Sequence, residues 1–120
     1  MDFRVLARSL EMKECDLVEF VKLFLEATAS DLLHLEESVK QGEAREVRSL
    51  AHSIKGAAAN LRLMDIFEAA KRIETHALEN HLENVPEIIG MIKEKLDHLA
   101  QSLRGEETGT GRRQAMNRRN

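Results

Sequence analysis

Residues 43–61, EAREVRSLAHSIKGAAANL, carry the periodicity that decides the fold. An α-helix advances about 100° per residue, so Val47, Leu50, Ala51, Ile54, Ala58 and Leu61 fall within roughly 50° of one direction. Such a stripe faces a core. On the same projection Lys55 stands about 80° from Val47, Arg48 about 100°, Ala59 about 120°, His52 about 140° and Gly56 about 180°. The segment reads as an amphipathic helix whose outer face carries a histidine near mid-length.

Working outward, three more long helical periods share the pattern. One opens at Asp16, with Glu19 three residues on in capping-box spacing, and runs through Leu17, Val21, Phe24, Leu25, Thr28, Leu32, Leu35 and Val39 to a stop at Gly42. Another is announced by Asp65 with Glu68, carries Ile66, Ala70, Ile73 and Ala77, and fades near His81. The last opens at Asn84, with Pro86 in its first turn, where a missing N–H costs nothing. Its stripe is Val85, Ile88, Ile89, Ile92, Leu96, Leu99 and Leu103, and Gly105 is the expected stop. A short extra helix is expected within residues 1–12, through Phe3, Leu6, Ala7 and Leu10. Long helices joined by short links pack as an antiparallel up-down four-helix bundle. The expected organisation is a bundle domain over 1–103 and a flexible basic tail over 104–120.

Composition agrees. At 120 residues there is chain for one core; 42% hydrophobic and 32% charged residues describe a globular protein with no run long enough to span a membrane. One Pro, six Gly, no Trp and no Tyr leave too little turn punctuation for an all-β fold. The lone Cys15 excludes a disulfide framework and a cysteine zinc site, and it reads as a half-buried structural thiol. No secretory signal is evident, so the expected compartment is the cytoplasm. Residues 104–120 hold five Arg and two Glu, whereas residues 1–103 carry 13 basic and 19 acidic side chains, a net −6. An acidic body argues against nucleic acid as a partner, because that affinity rests on cationic neutralisation of phosphates.

The outer face of the 43–61 helix holds the chemistry. The residues placed to cover His52 are those at 55, 56 and 59, and two of them are Gly56 and Ala59. A mid-helix glycine costs about 1 kcal/mol relative to alanine, so local folding does not favour Gly56. Lys55 and Arg48 flank the imidazole with positive charge. An approachable, nucleophilic imidazole beside cations suits a phosphoryl group, whose transfer needs positioning and charge stabilisation above all. A group bonded to the other ring nitrogen would fix the tautomer. The competing explanation for small residues here is a face packed tightly against another helix.

The run AHSIKGAAANL, Ala51 to Leu61, resembles the signature of histidine-containing phosphotransfer domains. The resemblance implies a four-helix bundle that accepts a phosphoryl group on His52 and exchanges it with the aspartate of a response-regulator receiver domain, or receives it from a histidine kinase. It implies a carrier with no kinase catalytic domain and no cofactor of its own, Mg²⁺ being expected only on the partner receiver. By the same match Lys55 assists the phosphoryl group, Gly56 gives the receiver access, and Glu74 of the KRIE run hydrogen-bonds His52. Docking is expected over Arg45, Arg48, Ser49, Gly56 and Ala59. Family members commonly carry a glycine where this chain has Arg62, so the turn into the next helix is expected to depart from theirs.

Two other readings stand beside it. A helical adaptor would bind a signalling partner through the same strip without being phosphorylated. Asp31 and His34 have ligand-like spacing, but a bundle di-metal site needs Glu-x-x-His pairs and the chain has none, so no metal site is expected. Gly90 reads as a close helix–helix contact.

Overall fold

The computed structural model describes residues 2–109. Among them the chain forms five helices and no strand: α1 (Phe3–Ser9), α2 (Glu14–Lys40), α3 (Ala44–Asn60), α4 (Met64–Leu78) and α5 (Val85–Gly109). Each long helix buries the stripe its sequence marks. Val47, Ala51, Ile54 and Ala58 of α3 are buried, as are Ile66, Ala70, Ile73 and Ala77 of α4 and all seven marked positions of α5. Of the marked positions in the long helices, only Leu25, Val39 and Leu50 stop at half-burial. Burying a large aliphatic side chain is worth roughly 1.5–3 kcal/mol, which makes these stripes the main source of stability.

The four long helices close a ring: α2 packs on α3, α3 on α4, α4 on α5, and α5 back on α2, with α1 laid against α2. Ion pairs tie neighbouring helices at the rim, Lys93 of α5 to Glu36 of α2 at 2.6 Å and Lys95 of α5 to Asp65 of α4 at 3.2 Å.

Four of the five helix ends share one device. After α1, α2, α3 and α4 the chain enters the left-handed region at Glu11 (φ 55°), Gly42 (φ 70°), Arg62 (φ 58°) and Asn80 (φ 59°). The next amide then reaches back to the helix, as Leu63 does to the Ala58 carbonyl at 2.9 Å and Glu43 to the Ser38 carbonyl at 2.9 Å. Only Gly42 meets this turn without a Cβ penalty. Arg62 therefore holds a left-handed conformation that a glycine adopts without penalty. Its Nη1 donates to Ser9 Oγ at 2.6 Å, joining that turn to α1.

This closure also corrects two expected helix starts. Leu63 already accepts the first intrahelical bond, from Phe67 N–H, so α4 begins at Met64 and Asp65 sits inside its first turn. Likewise α2 begins at Glu14 behind Lys13, and Asp16 lies in its first turn, where its charge favours the helix dipole without capping it. A side-chain cap does form at α1, where Asp2 Oδ1 accepts from the amides of Arg4 and Val5.

Three further expectations are corrected. The chain does not leave the helix at Gly105: α5 runs through Gly109, and residues 110–120 of the expected tail lie outside the described residues. A glycine stops a helix only where the chain turns left-handed, and here it continues as helix. Gly90 is exposed, and a Cβ built on it would meet nothing within 4 Å, so it is no helix contact. Cys15 is exposed rather than half-buried, because it lies in the first turn of α2 before the buried stripe begins.

Candidate functional site

His52 lies eight residues from either end of α3. The helix turns Val47, Ala51 and Ile54 inward to near-complete burial, which forces His52 outward, and 70% of its side chain is exposed. Gly56 and Ala59 are exposed beside it, and a Cβ on Gly56 would meet nothing within 4 Å. Small residues at these positions are therefore not explained by packing against another helix of this chain.

The neighbouring helix supplies the orienting group. α3 and α4 lie against each other, and Glu74 follows the fully buried Ile73, so it sits half-buried at the seam. Glu74 Oε2 is 2.8 Å from His52 Nδ1, and Oε1 accepts from Lys55 Nζ at 2.6 Å. The Lys55 hydrogen bond holds the Glu74 carboxyl below the usual carboxylate range; partial burial opposes it, and His52 adds to the lowering. An ionised carboxylate can only accept, so the contact requires the ring proton to be on Nδ1. The Nε2 lone pair is then left unprotonated on an exposed ring.

Arg45, Arg48 and Ser49 join His52 and Glu74 around a shallow groove of about 370 Å³. Gly56 and Ala59 lie on the opposite side of the ring, toward the C-terminus of α3. The sequence-marked residues thus form one strip, with cations at one end and small residues at the other.

Two features were not marked in the sequence. Lys55 is paired with Glu74 rather than free, a contact across 19 positions that no local pattern records. Beyond the small end of the strip, a largely apolar groove of about 470 Å³ opens between α2 and α3, edged by Phe20, Leu23, Ala57 and Asn60. Phe20 and Leu23 are 53% and 59% exposed; their position off the α2 stripe was the available signal.

The other histidines assemble nothing comparable. Burial pushes the Asp31 carboxyl up, with His34 pulling the other way. Among the described residues no group of three or more His, Cys, Asp or Glu side chains could hold a metal ion, and no helix is long and apolar enough to cross a membrane.

No curated protein and no solved structure gives a significant match to the chain. Residues 19–104 match the family model of the Hpt domain, a stretch that starts in the first turns of α2 and ends in α5, leaving α1 outside it. That match spans well over half of the 120 residues, includes the exposed histidine and its carboxylate, and places the chain in the Hpt domain family.

Proposed function

We propose that the chain is a phosphoryl carrier of a two-component phosphorelay, loaded on His52 Nε2 and exchanging with receiver-domain aspartates or charged by a histidine kinase. The observation that carries this reading is the exposed ring whose Nδ1 faces Glu74. The Nε2 lone pair attacks the phosphorus of an aspartyl phosphate, the P–O bond to the aspartate breaks, and the carboxylate leaves with the bonding pair. The ring becomes a phosphorylated imidazolium whose Nδ1–H stays against Glu74, and the reverse steps return the phosphoryl group. Lys55 neutralises phosphoryl oxygens. Mg²⁺ belongs to the receiver, and the carrier needs no cofactor.

The scaffold in this reading is an up-down antiparallel bundle, supported by short links between helices that pack in chain order. The partner lies along Arg45, Arg48, Ser49, Gly56 and Ala59, and the apolar groove at Phe20 and Leu23 extends that surface. The setting is cytoplasmic.

The test is incubation with a phosphorylated receiver or an active kinase. The expected product is an acid-labile, alkali-stable phosphate that His52→Gln removes. Tight receiver binding with no such label would overturn the carrier and leave an adaptor.

A further inference from the structure

The two oxygens of Glu74 serve different partners, Oε2 facing His52 Nδ1 at 2.8 Å and Oε1 taking the Lys55 ammonium at 2.6 Å. Lys55 and Glu74 expose only 24% and 18% of their side chains, so solvent and salt screen this pair less than one standing free on the surface. The Lys55 hydrogen bond is also the largest influence lowering the Glu74 carboxyl. In the resting protein the lysine therefore belongs to Glu74. Yet Lys55 follows His52 by three residues, so both side chains leave neighbouring turns of α3. A phosphoryl group on Nε2 would place a second, more highly charged anion within reach of the same ammonium.

The geometry points to a competition in which Glu74 holds the Lys55 ammonium against the phosphoryl group on His52, and so sets how long that group stays. The inference rests on the carrier reading above. It makes Glu74 a positioning residue toward the phosphoryl oxygens, which it reaches through Lys55 in addition to its own contact with the ring at Nδ1. The direction follows from the loaded state. A phosphoryl group resting on Nε2 carries its negative charge beside the ammonium, so with no receiver present to supply its own cations the ammonium stabilises the bound group. A carboxylate that keeps the ammonium away shortens the lifetime.

Four full-length proteins test this: wild type, Glu74→Gln, Lys55→Met and the double variant. Glutamine keeps an acceptor for Nδ1–H but removes the charge that holds Lys55. Each protein is loaded with phosphoramidate, a small donor that needs no docking surface. The Nε2 lone pair attacks phosphorus, the P–N bond of the donor breaks and ammonia leaves. Phosphohistidine half-lives are then followed by ³¹P NMR without any receiver, with thermal melts confirming that each protein is folded.

Glu74→Gln is expected to lengthen the half-life about two- to fivefold, the range open to a partly screened ion pair. Lys55→Met should abolish that lengthening when combined with Glu74→Gln, and alone should shorten the wild-type half-life by a smaller factor than it does in the Glu74→Gln background. An equal factor for Lys55→Met in both backgrounds, or no lengthening in Glu74→Gln, overturns the competition. If the expected pattern holds but no receiver exchanges phosphate with the protein, the carrier reading falls and the competition stands. If phosphoramidate fails to load His52 in the wild type, both fall.

Discussion

The two faces of α3 are built on opposite rules. Its inner face presents Val47, Ala51, Ile54 and Ala58, all at or below 1% exposure, and every change of volume there is felt by the other helices. Its outer face presents His52, Gly56 and Ala59, and a side chain added at Gly56 meets open space. The inner face chooses residues for what this chain needs; the outer face keeps a glycine that this chain does not need for packing. The difference teaches that stability and chemistry are separable along a single helix, and mutation can break or sharpen that separation.

The largest expected effect is on the outer face. His52→Gln should abolish acid-labile labelling while the melting temperature stays within a few degrees, because exposed substitutions rarely move stability by more than about 0.5 kcal/mol. Ile54→Ala inverts this: it should cost about 2–5 kcal/mol in denaturant unfolding, while the fraction still folded keeps its label on His52. A large stability loss in the first variant, or loss of labelling by folded protein in the second, would break the comparison.

Gly56→Leu sharpens it. Helix propensity favours leucine, so the variant should gain up to about 1 kcal/mol in stability. Exchange with a receiver should fall at least about tenfold, as a bulky side chain meets the partner, while small phosphoramidate still loads His52. Normal receiver exchange would show that access is not what the glycine provides.

Glu74 sits between the two faces, and its effect is smaller. Its carboxyl is lowered in the folded state, so the stabilisation is fully present above the ordinary glutamate pKa, about 4.3, and is lost as pH falls through the lower folded value. Urea titrations should therefore show wild type above Glu74→Gln by up to about 1 kcal/mol near neutrality, with the two converging in acid. Arg62→Gly should change least. Relief of a left-handed residue, about 1 kcal/mol, offsets loss of a hydrogen bond to Ser9 of similar worth.

Most of this was legible because burial follows period. The stripes of α3, α4 and α5 could be read directly, and so could the outward histidine, since 100° per residue leaves His52 nowhere else to go. Helix ends were harder. Asp16 and Asp65 looked like caps, but the left-handed closure before α4 fixed its start earlier than an Asp65 cap would allow, and Glu11 and Arg62 carry such closures without glycine's signal. Gly105 and Gly90 look alike in sequence to glycines with a structural task, yet one continues a helix and the other faces open space. Glu74 entered through the family resemblance; its bond to Lys55 depends on how two helices meet, which no stretch of sequence alone states.

Every group assigned to the chemistry, from Arg45 to Glu74, lies within thirty consecutive residues that fold as the single α3–α4 hairpin. Contacts of such short range close at little cost in chain entropy. The register of the reacting atoms is thus set at one helix seam, which makes the hairpin the natural unit to graft onto another scaffold.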